Sequence, residues 1–385
     1  MTSKFEILCA ELNLNINAPS EVALDAIKKW YNEHVSCKLT NIDIIVAVKQ
    51  YLDVFLANIP DNIADSVPIF DNMNAVQYAA ANGYDLFLDK LTPPAREVCN
   101  FAIERNGMAP LHLAASFGHV GAVKVLLKIG ADPTQKNKMG QCPIYSALFT
   151  PISADSEYCK RKIEIFTELQ RVAPATISNQ DISGDTVAKL AVINGYESIV
   201  EDLIGSNLSS LKKHDNFIKY PIHYAVLNNK SGVISLLMTD PEMAKFKDSD
   251  GMVALHYAAR SGNIEVLNAC LSAYDEINIR DLNRKTPLLH AAESGNFVVF
   301  KSLINHKADI NAKDYRDSGV LHYATISGNL ELVSWILDNL SLDINMPDID
   351  GFTSLDYASK RRLDDICILL VEHGAAKGVH ELAPR

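Results

Sequence analysis

The sequence predicts an all-α protein, a solenoid of about nine stacked helical repeats with a helical N-terminal cap. One pattern, typified by VALHYAARSGNIEVLNACL, recurs every 33 residues from Tyr220, Val253, Thr286 and Gly319. An alanine follows each start at the same distance, and apolar residues recur at helical spacing behind it. A fixed period of this length is the signature of a solenoid, in which each unit buries its apolar face only against its neighbours.

A clear copy also begins at Ala109, and weaker copies begin at Asn74, Cys142, Thr186 and Thr353. A small side chain is needed where neighbouring helices approach so closely that a larger one would overpack the contact. The sequence therefore predicts that the alanine five residues after each start is buried between helices. These alanines are Ala79, Ala114, Ala147, Ala191, Ala225, Ala258, Ala291, Ala324 and Ala358.

Each copy is predicted to form a helix, a tight turn, a second helix and a polar loop. Proline stands directly behind several starts, as in Pro110 and Pro287, where the first turn of a helix needs no N–H. Glycine follows the first helix in six copies, as in Gly118, and suits the turn. Between copies, segments such as KADINAKDYRDSG predict extended hairpins closed by Gly, Asn and Asp.

This pattern resembles the ankyrin repeat, whose 33-residue unit carries T-P-L-H-x-A, a helix pair and a hairpin. The resemblance covers roughly residues 71–378 and is strongest in the copies that begin at Ala109, Val253, Thr286 and Gly319. Several copies depart from the family's histidine, and the residues found there are Gln77, Tyr145, Lys189, Leu289 and Asp356.

Three segments do not follow the repeat. Residues 1–70 are predicted to form a helical cap or, alternatively, a small helical domain. The copy that begins at Cys142 is longer than the others, which indicates an insertion near residues 148–170. It is either a lengthened second helix with a longer entry loop or a functional projection. Residues 379–385 are predicted to be a C-terminal tail.

The histidines of the repeat raise the question of chemistry. His112, His223, His256 and His322 occupy one position of the repeat. Successive positions lie about one helix diameter, roughly 10 Å, apart, which is too far for a shared metal with bonds of about 2 Å. We therefore expect each imidazole to hydrogen-bond the adjacent hairpin backbone. The tyrosines that follow, such as Tyr257, are expected to be packing residues.

No other pattern indicates catalysis or a cofactor. The phosphate-binding, dinucleotide, zinc-protease and nucleophile-elbow motifs are missing from the sequence. The openings at Asp248 and Asp348 resemble calcium loops but are better explained as hairpin turns. The protein is therefore predicted to be non-enzymatic and without cofactor or metal. The alternative is an enzyme with its active site in residues 1–70 or the insertion, which uses the repeats to reach its substrate.

Composition limits the partners. The 385 residues carry a net charge of −11, which argues against nucleic acid as a partner. Seven cysteines without a regular framework favour reduced thiols, and neither a secretory signal nor a stretch of about 18 apolar residues is present. These features predict a cytoplasmic protein that does not insert into membranes, and we expect a monomer.

The ankyrin resemblance implies that a protein partner lies against the concave face, which hairpin tips and first-helix ends build. Large apolar side chains at such positions could anchor a partner or simply pack against the adjacent hairpin. The predicted partner-binding residues are Met108, Phe117, Met139, Phe149, Phe217, Met252, Tyr315, Arg316 and Phe352.

The divergent repeats, rich in Asn, Ile, Lys and Asp, are similar in style to ankyrin-bearing effectors of intracellular bacteria. This similarity implies that the protein is translocated into a eukaryotic host cell and that its partner is a host protein.

Overall fold

The computed structural model describes residues 75–89, 99–149, 156–206 and 208–378, and these contain helices and turns but no strand. The predicted cap at 1–70 and the tail at 379–385 lie outside the described residues. The chain divides into two compact units with the boundary between Ile182 and Ser183. The all-α prediction is confirmed, and each unit is described below by itself.

The first unit stacks helix pairs in two layers. The first helices α1, α3 and α5 pack in series, and the second helices α2, α4 and α6 form the layer beside them. Their bounds are α1 Ala75–Asn82, α2 Asp85–Asp89, α3 Pro110–Phe117, α4 Val120–Ile129, α5 Pro143–Ser146 and α6 Ser156–Val172, followed by a 3₁₀ turn at Pro174–Ser178.

The second unit continues the same arrangement with α7, α10, α12, α14, α16 and α18 as first helices. The helices are α7 Val187–Asn194, α8 Glu197–Ser206, α9 Leu208–Leu211, α10 Pro221–Leu227, α11 Ser231–Leu237, α12 Ala254–Ser261, α13 Ile264–Leu271, α14 Pro287–Glu293, α15 Phe297–Asn305, α16 Val320–Ser327, α17 Leu330–Asn339, α18 Ser354–Arg361 and α19 Asp364–Glu372. A 3₁₀ turn at Met243–Lys245 precedes α12.

The alanines at the repeated position are all fully excluded from solvent. Ala291, for example, lies in α14, which packs against both α12 and α16. A methyl group therefore fills the space between consecutive first helices, as the sequence predicts, and a longer side chain would force the layers apart.

The turn after a first helix is closed by glycine in the left-handed region. Gly118 has φ 78°, and backbone N–H groups at this helix end donate to the carbonyls of Ala114 and Ala115. Glycine adopts this conformation without the steric cost that a Cβ adds. The turn lets α4 fold back beside α3.

The segment near 148–170 largely forms α6, which packs on α4 where the second helix of that copy is expected. This agrees with the interpretation as a lengthened second helix. Lys162 of α6 is fully buried, and its Nζ donates to the carbonyls of Ala115 (2.8 Å), Ser116 and Ser146 (3.3 Å). The ammonium therefore satisfies backbone acceptors at the C-terminal ends of α3 and α5.

Candidate protein-interaction surface

Each hairpin of the second unit begins at a buried aspartate that closes the turn. The Asp248 N–H donates to the Met252 carbonyl (3.1 Å), and Asp248 Oδ1 accepts the backbone N–H groups of Asp250 and Met252 (both 2.9 Å). Asp314 and Asp348 bind their own turns in the same way. Turn chemistry therefore accounts for these Asp-rich openings. In the described part of the chain, no group of three or more His, Cys, Asp or Glu side chains could hold a metal ion.

The second carboxylate oxygen of the same aspartates binds the first helix nine residues later. The Tyr323 hydroxyl donates to Asp314 (2.6 Å), and the Tyr357 hydroxyl donates to Asp348 (2.6 Å). Burial and then this bond raise the pKa of Tyr357 to about 12. Tyr257 and Tyr323 are buried, as expected of packing residues, and the hydroxyls of this series in addition fix the hairpin to the helix. The recurring Asp-to-Tyr spacing was the sequence signal for this link.

Burial and hydrogen bonding act in opposite directions on these carboxylates. Burial would raise the pKa of Asp248, but the hydrogen bonds from Tyr257, Met252 and Asp250 outweigh it and hold that pKa below its ordinary value. The carboxylate is therefore charged at neutral pH and accepts three hydrogen bonds from its own repeat. These aspartates belong to the scaffold.

The histidine position proves to be architectural. His256 Nδ1 accepts the Val253 N–H (3.1 Å), so the proton sits on Nε2, which donates to the Ile279 carbonyl (3.1 Å). His112, His223 and His322 make the equivalent pair of bonds. The predicted bond to the adjacent hairpin is confirmed.

Residues that replace histidine keep the bond in two copies. Gln77 Nε2 donates to the Phe101 carbonyl (2.8 Å), and the Tyr145 hydroxyl donates to the Asn179 carbonyl (2.6 Å). Lys189 instead binds Asp185 (2.5 Å) and Asp215 (2.7 Å). The position therefore needs a donor rather than an imidazole in these copies, and it offers no catalytic base.

Most of the predicted partner-binding side chains are accessible. Phe217 is 69% exposed, and Met108, Arg316 and Phe352 are half-buried. The Phe352 ring contacts that of Tyr357, with centroids 5.9 Å apart, and Arg316 pairs with Asp350. The remaining exposed members of the set are Phe117, Met139, Phe149 and Tyr315.

The prediction of Met252 as a partner-binding residue is wrong, because its side chain is only 4% exposed. The residue lies on the second arm of its hairpin, and its backbone N–H bonds Asp248 Oδ1. This arm leads directly into α12, so the side chain turns into the core rather than to the tip. We remove Met252 from the candidate binding residues.

Sequence reasoning missed four exposed tip residues, one of which is Ile182 of the first unit, 61% exposed directly after Asp181. Leu282 is 73% exposed and Ile349 is 65% exposed, each directly after the aspartate of its hairpin. Ile218 is also exposed, next to Phe217. Tyr315, which the sequence did single out, is the equivalent of Leu282 one repeat later. Comparison of that position between copies would therefore have found Ile182, Leu282 and Ile349.

Backbone bonds hold consecutive tips in register. The Leu282 N–H donates to the Asp250 carbonyl (2.9 Å), the Tyr315 N–H to the Asn283 carbonyl (3.0 Å), and the Ile349 N–H to the Arg316 carbonyl (2.8 Å). The exposed side chains therefore stand on a hydrogen-bonded frame, and little ordering entropy remains to be lost on binding.

The family model described as ankyrin repeats in three copies matches residues 41–137, 188–281, 222–314, 275–348 and 315–380, which together exceed half of the chain. The chain belongs to the ankyrin-repeat family.

Individual relatives cover less of the chain. Neurogenic locus notch homolog protein 1 is 30% identical in Homo sapiens and 28% identical in Xenopus laevis, over 135 residues in each case. These alignments cover 35% of this chain and only 5% of the length of those relatives. The crystal structure of the ankyrin repeat domain of Bcl-3 matches 50% of this chain and 88% of its own, with 26% identity and a TM-score of 0.45.

Ankyrin repeats are typical protein-interaction modules. No helix within the described ranges is long and apolar enough to cross a membrane. Cys99, Cys142, Cys270 and Cys367 are free thiols.

Proposed function

We propose that this ankyrin-repeat protein is a non-enzymatic scaffold that binds a protein partner on its tip surface. The tip surface consists of the hairpin tips and first-helix ends, which by the family resemblance are expected to form the concave face. Exposed aromatic and aliphatic side chains on a hydrogen-bonded backbone favour this function, because a few large side chains carry most binding energy at protein interfaces.

The tip at Phe217 and Ile218 carries the proposal. Ile218 has φ 57°, a left-handed conformation that Gly251 and Gly351 adopt without strain at the equivalent position, and that Arg284 and Asp317, which are not β-branched, adopt in two further copies. A β-branched side chain there costs about 1–2 kcal/mol. Ile218 is nevertheless 44% exposed, so burial offsets only part of this cost. An exposed, strained isoleucine beside an exposed phenylalanine is best explained by contact with a partner.

The first unit offers a comparable set. Phe117 ends α3, Met139 lies at a hairpin tip, and Phe149 follows α5, and all three are exposed. Met139 also accepts the Ile182 N–H at its carbonyl (3.0 Å), so its tip is fixed like those of the second unit. We propose that each unit contributes contacts to a protein partner.

Capture of partners from eukaryotic cytosolic lysate, quantified by mass spectrometry, tests this function. Phe217→Glu with Tyr315→Glu should abolish retention of the partner by the second unit, and Phe117→Glu with Phe149→Glu tests the first. Val298→Glu with Ile368→Glu is the matched control, because these side chains are equally exposed but lie on the second helices α15 and α19. Circular dichroism establishes that each variant is folded.

Equal retention by the tip variants and the control would refute binding through the tip surface. A captured protein whose mass has changed covalently would favour the alternative of an enzyme in residues 1–70 or the insertion. The bacterial-effector hypothesis makes the partner a host protein. A reporter fusion that fails to leave the bacterial cytoplasm for the host cell would argue against that hypothesis.

A further inference from the structure

One stretch of the second unit carries a paired row of cations and apolar side chains. In the hairpin arms, the buried Asp281 stands between Arg280 and Leu282, and the buried Asp314 stands between Lys313 and Tyr315. Arg280, Leu282 and Tyr315 are exposed and Lys313 is half-buried, whereas both aspartates are buried. The cation and the apolar residue of each arm therefore share the outward side, while the aspartate faces the core.

The cations of this row form no ion pair in the described part of the chain, although Arg280 Nη1 donates to the Lys313 carbonyl (3.2 Å). Lys247, Arg280 and Lys313 occupy the same position in three consecutive copies, and within the described residues no carboxylate lies within 4.0 Å of their charged groups. Neighbouring cations differ, since Lys285 binds Glu293 (2.8 Å) and Arg316 binds Asp350. In a chain of net charge −11, a row of such cations favours an acidic ligand.

The spacing of the row limits the shape of the ligand. Consecutive hairpins follow the stacked first helices, which lie about one helix diameter apart, so equivalent side chains repeat about every 10 Å. Three residues of a polyproline II segment advance about 9.3 Å and return to the same side. In a β-strand, by contrast, residues three apart point to opposite sides, so only one of two such side chains would face the row.

We infer that the row formed by Lys247, Arg280 and Lys313 with Leu282, Tyr315 and Ile349 binds an acidic segment of the partner in polyproline II conformation, with one carboxylate and one apolar side chain in every three residues. This inference rests on the proposed function and specifies the partner's chemistry. Single-stranded nucleic acid fits less well, because Tyr315 is the one aromatic member of the row on which a base could stack.

Fluorescence polarisation with a labelled peptide of four Pro-Leu-Glu triplets, about 37 Å long in this conformation, tests the inference on the full chain. Peptides with Gln or Lys in place of Glu are the comparators. We expect the Glu peptide to bind at least about tenfold more tightly than the Gln peptide and to weaken as salt rises. The Lys peptide should not bind.

The variant Arg280→Gln with Lys313→Gln should weaken binding of the Glu peptide at least about tenfold and remove its advantage over the Gln peptide. Leu282→Ser with Tyr315→Ser should weaken both peptides. The matched control is Lys124→Gln with Lys128→Gln, which removes two exposed charges from α4 and should leave the affinity unchanged.

Equal binding of the Glu and Gln peptides, or an affinity that survives Arg280→Gln with Lys313→Gln, would overturn the inference. Tighter binding of an oligouridine or of phosphatidylserine vesicles than of the Glu peptide would overturn it too. If the chain captures a protein through Phe217 and Tyr315 but ignores the Glu peptide, the inference fails while the proposed function stands. If both experiments fail, the proposed function itself is wrong.

Discussion

At the scale of single residues, Ile218 is expected to lower the stability of the fold while it strengthens partner binding. We predict that Ile218→Gly raises the free energy of unfolding by about 0.5 kcal/mol, because relief of about 1–2 kcal/mol of strain exceeds the roughly 0.5–1 kcal/mol entropic cost of glycine. The same change should weaken partner binding. Urea unfolding and the capture assay measure the two effects.

Lys307→Gly is the control for Ile218→Gly, because Lys307 also has a left-handed backbone (φ 66°) but lies after a second helix. It should gain stability and bind the partner normally. If Ile218→Gly leaves partner retention intact, the strained isoleucine has no role at the interface.

The environment of a residue could be predicted from the sequence where the repeat imposes the same environment on every copy. The buried alanines and the histidine bonds were predictable, because each copy imposes the same packing on the same position. Met252 was not, since its exposure depends on which hairpin arm faces α12. Ile218 shows its strain only through φ, which no repeat alignment contains.

At the scale of elements, the tyrosine-to-aspartate bond joins a hairpin to its helix. We predict that Tyr257→Phe lowers the free energy of unfolding by about 1–3 kcal/mol, because Asp248 Oδ2 loses a buried donor. Amide exchange of Asp250 and Met252 should also accelerate as the turn loosens. Tyr315→Phe, at an exposed ring, should change stability by less than about 0.5 kcal/mol. Equal effects of the two substitutions would contradict this role.

Helix α6 depends on Lys162 in a different way. Burial lowers the pKa of this ammonium to about 8, yet it remains mostly protonated at neutral pH and serves three carbonyls. We predict that Lys162→Met lowers the free energy of unfolding by roughly 2–3 kcal/mol, because these acceptors lose their donor. Lys160→Met, at an exposed neighbour, is the control for urea unfolding and should be nearly neutral. Stability unchanged by Lys162→Met would show that the carbonyls find other donors.

The sequence could predict a long helix here but not the burial of Lys162. Its acceptors belong to Ala115, Ser116 and Ser146, which lie in earlier copies or at the end of α5. A contact of this kind appears only when the packing of α6 against α3 and α5 is known. Local sequence patterns do not contain it.

At the scale of the whole molecule, the repeated histidines should make stability depend on pH. Burial lowers the pKa of His112, His223 and His322, while burial and then the neighbouring His290 lower that of His256 to about 4. Between these values and the ordinary pKa near 6.5, the unfolded chain binds protons that the folded chain does not. The histidines therefore do not reduce the free energy of unfolding above about pH 6.5, and they lower it as the pH falls below that value.

The loss of stability at low pH can be assigned to a single histidine by replacing it with glutamine, which the chain carries at the same repeat position in another copy. Gln77 makes the hairpin bond without a titrating ring, so His256→Gln should keep the bond to the Ile279 carbonyl and remove one proton site. Trp30→Phe leaves Trp335 as the single tryptophan of the chain, and its fluorescence follows urea unfolding of the second unit. From pH 7.5 to 5.5, His256 should remove about 1 kcal/mol of unfolding free energy. His256→Gln should therefore lose about 1 kcal/mol less over this range than the parent, and an identical loss in both chains would show that His256 binds its proton as readily folded as unfolded.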